Sequence, residues 1–199
     1  MNLREHSSSL LCRVDHSHEH AAVRLASALY QYISPYRQTC EYICLAVGTD
    51  RSTGDALGPL VGTRLAEFAH PFLTVYGTLK DPVHAMNLEE TLHFIRSRHP
   101  RAFVIAIDAC LGQSAHVGSI SLAKGPLRPG AGVNKKLPEV GDVHFSCVVN
   151  VGGFMEYFVL QNTRLSMVVD MAEVLSLSIR KAFSYLTNKP VGLPEQHFL

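Results

Sequence analysis

Short runs that are apolar on both faces alternate along this chain with longer segments that carry one apolar stripe. Residues 42–48, 72–76, 102–108, 119–123 and 143–149 are of the first kind. Runs of that length, bounded by Gly, Pro and Asp, predict buried strands. The stripes predict helices. Ala22, Leu25, Ala26, Leu29, Tyr32 and Ile33 share one face of 18–34, which Ser34-Pro35 ends. Leu57, Val61, Leu65 and Phe68 do the same over 56–69. A helix spans 88–98 and another starts within 152–161. The longest helix carries Leu165, Val168, Ala172, Leu175, Ile179, Ala182 and Leu186 at alternating steps of three and four. The Gly/Pro-rich stretch 125–142 reads as a long loop.

Strands alternating with helices define an α/β chain whose mostly parallel sheet is covered on both faces. The expected organisation is a flexible N-terminal segment over 1–17, one α/β domain over 18–188 and an irregular tail over 189–199. In such sheets ligands bind outside the carboxyl ends of the strands. The residues that follow each strand are therefore the ones to inspect.

Composition narrows the class. Apolar residues make up 47% of 199, enough for a sizeable core, and charged residues only 18%, which argues against disorder. Eighteen Lys and Arg face seventeen Asp and Glu. The resulting balance of +1 provides no global field for nucleic acid or an anionic membrane, and no apolar run is long enough to span a bilayer. The five cysteines, Cys12, Cys40, Cys44, Cys110 and Cys147, form no CxxC pair and read as reduced thiols of a cytoplasmic protein. The alternating His16, His18 and His20 read as a solvated segment rather than a metal site.

Three strand ends carry candidate chemistry. Thr49, Asp50 and Asp55 follow the first strand, Asp108 ends the third, and Asn150 follows the late one. Taken singly, each has a structural explanation. Asp55 stands three residues after Ser52, as in a helix capping box. Asp108 can bond loop amides at a strand end, and Asn150 before Gly152-Gly153 can serve a turn. Together, two acids and a carboxamide at one crevice match the needs of an acid-assisted hydrolase, because paired carboxylates push each other's pKa apart. The same acids can also ligate a divalent metal.

Other chemistries fit less well. The 48–58 stretch is neither GxGxxG nor a Walker A loop, and Asp50 and Asp55 repel phosphate. No Gly-x-Ser-x-Gly elbow occurs. Cys110 follows a strand end, where a lone Cys is more often core than nucleophile. The loop 124–136 holds Lys124, Arg128, Lys135 and Lys136 with no acid, a cationic rim suited to an acidic peptide.

Three ordered segments resemble the spore germination protease family. These are Ala46-Val-Gly48 with Thr53-Gly-Asp55-Ala-Leu-Gly-Pro59, then Val104-Ile-Ala-Ile-Asp108-Ala109, then Arg128-Pro-Gly-Ala-Gly-Val-Asn-Lys135. The resemblance covers about 42–156 and is strongest to the small sporulation-associated relatives of that protease. More distantly, the pattern is similar to the hydrogenase maturation endopeptidases. There Asp55 and Asp108 match the two acids, Thr49 replaces an Asn, and Asn150 stands near the metal-binding His.

The resemblance implies a three-layer α/β/α sandwich, phosphorylase/hydrolase-like, and a peptidase of the sporulating cell. Carried over by position, it implicates Asp55 and Asp108 as catalytic; the strand-end reading adds Asn150 to them and expects Thr49, Asp50, Arg128, Asn134 and Lys135 to bind substrate. The implied substrate is a peptide or a small acid-soluble spore protein, with no nucleic acid, no membrane and no required cofactor. A divalent ion at Asp55/Asp108 and self-association stay open, as does a catalytically silent binding module on the same fold.

Overall fold

A computed structural model describes residues 10–37, 41–129 and 137–187. Among these residues one sheet holds six strands, β1 (Leu10–Asp15), β2 (Tyr42–Ala46), β3 (Leu73–Tyr76), β4 (Phe103–Gly112), β5 (Ser119–Lys124) and β6 (Val143–Val151). Their spatial order is β1-β5-β6-β4-β2-β3. The pairs β3–β2, β2–β4 and β4–β6 are parallel, whereas β5 runs antiparallel to both β6 and β1. The helices are α1 (Ala21–Ile33), α2 (Leu57–Phe68), α3 (Leu88–Arg98), α4 (Glu156–Gln161) and α5 (Leu165–Thr187).

Strand alternation sorts the side chains into layers. Ile105, Ile107, Phe145, Cys147 and Val149 point to one face and pack in a single buried cluster with residues of α1, α2 and α5. Ile43, Leu45 and Ala106 point to the other and meet Leu88, Leu92 and Ile95 of α3. The result is a three-layer α/β/α fold with a mostly parallel sheet, as the alternation predicts. The apolar stripe of α5 is buried at every position named above except Leu165, which is exposed at its N-terminal end. Transfer of such side chains from water, about 1.5–3 kcal/mol each, fixes the helix to the sheet.

The chain passes from β2 outward to β3 and returns across β2 to β4, with α2 and α3 on opposite faces. The boundary between β2 and β4 is thus a topological switch point, where a crevice opens at the strand ends. The α2 helix reaches this boundary closely. A Cβ on Gly58 would overlap the Val47 carbonyl, and Gly48, at φ +150°, has its α-hydrogen against the Asp55 carbonyl. The glycines of 48–58 serve this close approach of helix to strand.

Two differences from the sequence reading bear on the site. Residues 1–17 were expected to form a flexible segment, yet Leu10–Asp15 add a strand to the sheet edge, with Cys12 and Val14 turned to the core and Arg13 and Asp15 to the other face. The third strand continues four residues past its expected end, so Asp108 lies within β4. The tail over 189–199 lies outside the described residues. No helix of the described residues is long and apolar enough to cross a membrane.

Candidate functional site

Asp55 reaches the switch point from the loop after β2. Its carbonyl accepts Thr49 N–H at 3.2 Å, and Gly54 N–H bonds the Leu160 carbonyl at 2.9 Å. The α2 helix begins at Leu57, after Ala56 as its cap residue, and no side chain caps it. Asp55 therefore does not play the capping role its spacing from Ser52 suggests. Burial raises the Asp55 carboxyl above its usual range, and the neighbouring Ser52 hydroxyl opposes that shift. Ser52 is itself buried, and its Oγ lacks a full hydrogen bond.

Asp108 lies on β4, beside the end of β2, and points away from the face covered by α1 and α5. The residue keeps some exposure to solvent, but its carboxyl is enclosed by protein. Burial, then the Asp55 charge, pushes it well above the carboxylate range, and the Ala109 N–H works the other way. The Asp55 charge thus reaches Asp108, and the larger rise falls on Asp108.

Asn150 is differently employed. Its Nδ2 donates to the Val159 carbonyl and to Thr163 Oγ1, each at 3.2 Å, and its Oδ1 accepts Val151 N–H at 2.8 Å. Its Nδ2 is spent on the α4 turn and its Oδ1 on the next residue of β6, so the structure does not offer the amide to a scissile carbonyl. This corrects the expectation that Asn150 orients an oxyanion. Thr49 shapes the Asp55 loop, its Oγ1 accepting Arg51 N–H at 3.3 Å, while Asp50 is exposed on that loop. Arg128 is exposed and paired with Glu139 at 2.8 Å. Its loop is tied to the amino ends of the strands by Gly125 N–H to Asp142 O and Asp142 N–H to Val104 O. The structure does not bring Arg128 to the acids. Asn134 and Lys135 lie outside the described residues.

The sequence reading missed a polar row. Asp108 is in register with Ser146, Ser146 with Ser121, and Ser121 with Arg13, whose Nε donates to Ser121 Oγ at 2.9 Å. At about 4.8 Å per strand, Arg13 stands roughly 14 Å from Asp108 across the sheet. The signal was the period-2 placement of Ser119 and Ser121 in an otherwise apolar run. Cys110 stands on the same face, two residues past Asp108. Burial, and then the Asp108 charge, pushes its thiol up to about 12, so it holds its proton at neutral pH.

An open groove lies at the carboxyl end of β6, between Val151, Phe154, Met155 and Phe158, with Asn150 on one side. Another cleft, lined by Arg64, Glu67, Phe68, Glu173 and Arg180, sits at the far end of α2 from Asp55.

The fold is a three-layer α/β/α architecture with a mostly parallel sheet. It is similar to the crystal structure of the NiFe hydrogenase maturation protease HycI from Thermococcus kodakarensis KOD1, with a TM-score of 0.51 over 77% of this chain and 99% of that one, at 17% identity. The chain belongs to the family described as a protein of unknown function, DUF1256, whose pattern matches residues 13–178. It is also 58% identical over 134 residues to the uncharacterized protein YyaC of Bacillus subtilis (strain 168). That match spans 67% of this chain and 65% of the relative, just under two thirds of its length.

The divalent ion left open at Asp55 and Asp108 depends on the donors around them. Asp55 and Asp108 are hard oxygen donors, and the Asn150 carboxamide is engaged elsewhere. Among the described residues no three His, Cys, Asp or Glu gather around one point. Two carboxylates without an imidazole do not fit a nickel-type centre, which favours nitrogen ligands.

Proposed function

We propose that this chain is an endopeptidase related to the spore germination protease, acting inside the sporulating cell or spore on acidic peptides or small acid-soluble spore proteins. The observation that carries this reading is the influence of Asp55, on the loop after β2, on Asp108 within the neighbouring parallel strand β4. Asp108, whose carboxyl burial and its neighbour bias toward the protonated form, is the general acid. Asp55, the less perturbed of the two, is the base. Asp55 takes a proton from water as the water oxygen attacks the carbonyl carbon. Asp108 gives its proton to the leaving amine as the C–N bond breaks. The acids are then left with exchanged protonation and reset through solvent.

The test is incubation with an acid-soluble spore protein extract, read by mass spectrometry, beside Asp55→Asn and Asp108→Asn. Discrete cuts by the wild type are expected, with each variant slower by about 10²–10⁴-fold. A wild type that leaves every spore protein intact overturns the reading. The second reading, a silent binding module, draws on the exposed Phe154, Met155, Tyr157 and Phe158 on and just before α4. It predicts that the two variants change stability alone.

A further inference from the structure

The α4 helix is six residues long and buries none of them. A helix that short has no stability of its own in water. Leu160 rests half-buried against the core, and a set of polar bonds fixes the turn around it. Thr163, just past α4, is buried at 6% exposure. Its Oγ1 donates to the Val159 carbonyl at 2.9 Å and accepts from Asn150 Nδ2 at 3.2 Å. Asn150 bonds the same Val159 carbonyl. The turn so pinned presents the Leu160 carbonyl to Gly54 N–H at 2.9 Å. The fit at Gly54 is close, since an added Cβ would lie 2.8 Å from Leu160 Cδ2 and 3.1 Å from Thr163 Oγ1.

These contacts form one chain of support. β6 carries Asn150 and pairs with β4, which carries Asp108. From Asn150 the bonds run through Thr163 and Leu160 to Gly54, the residue before Asp55. One acid is thus built into β4, and the loop that carries the other is held by a bracket that starts on the adjacent strand.

We infer that Asn150 and Thr163 are positioning residues, whose side-chain bonds hold the Asp55 loop at its working separation from Asp108. Neither touches the reacting atoms. The bracket stands on geometry alone, and its catalytic meaning rests on the peptidase reading.

The test is an NMR titration of the Asp55 and Asp108 carboxyl carbons in full-length protein. The coupling is read as the fall in the Asp108 midpoint when Asp55→Asn is introduced. Wild type is expected to show that fall. Thr163→Val removes the hydroxyl at nearly constant volume, and Asn150→Ala removes the amide. In either background the Asp108 midpoint should no longer respond to Asp55→Asn. Thr163→Ser should restore the response. The two removals act at opposite ends of one bond, so if one variant does not fold the other decides.

Coupling that survives in the variant that folds, with only its Tm lowered, overturns the inference, as does a wild type in which the acids titrate independently. Intact coupling in a wild type that cuts no peptide would instead sink the peptidase reading and leave the bracket standing.

Discussion

The carboxyl of Asp108, on β4, titrates under the influence of Asp55, which reaches it from the loop after β2. This relationship has a thermodynamic consequence. Both carboxyls are raised on folding, so the native chain binds their protons more tightly than the unfolded chain does. Stability from this source is complete below the unfolded carboxylate pKa of about 3.9. It is lost as pH rises through the raised native values.

Asp108→Asn should therefore raise the Tm at pH 7 and leave it almost unchanged near pH 4. Each 1 kcal/mol recovered corresponds to about 2–4 °C in a chain of this size. Calorimetry across that pH range checks the sign. A Tm lowered by the same amount at both pH values would show that the charge carries no cost.

Cys110 should be dispensable for chemistry. A thiol pushed up to about 12 by burial and by Asp108 is not a thiolate at neutral pH. Cys110→Ser should cut spore proteins at close to the wild-type rate, and iodoacetamide at pH 7.5 should label Cys110 far more slowly than a free thiol. Loss of cleavage with the fold retained would return Cys110 to the mechanism.

Gly58→Ala should be strongly destabilising, although Ala is the better helix former by about 1 kcal/mol. The added methyl would strike the Val47 carbonyl, a backbone atom with no freedom to swing aside. Overpacking of this kind costs about 1–3 kcal/mol or more. Urea denaturation should show a lower midpoint, and an unchanged one would mean that α2 can shift outward without loss.

Arg128→Ala should change stability by less than about 1 kcal/mol, because its ion pair with Glu139 is exposed. With Arg128 tied to the amino ends of the strands, the variant should cut neutral and acidic peptides in the wild-type ratio. A selective loss on acidic peptides would reinstate it as a substrate contact.

The alternation of two-sided apolar runs with striped segments determined the layer architecture, because burying those faces leaves few arrangements other than a covered parallel sheet. It also pointed to Asp55 and Asp108 at the carboxyl edge, since the loop after a buried strand must emerge there, although Asp108 lies within β4 and not at its end. Pairing and side-chain partners were another matter. Leu10–Asp15 became a strand because β5 offered it an edge, and its own alternation is too short to announce that. Asn150 looks the same in sequence whether its amide faces a substrate or a helix turn. The choice was made by residues 159 and 163, which meet it only after β6, α4 and the start of α5 have folded back on one another. Local pattern encodes which face is buried. Hydrogen-bond partners from different elements depend on distances that exist only once those elements are packed.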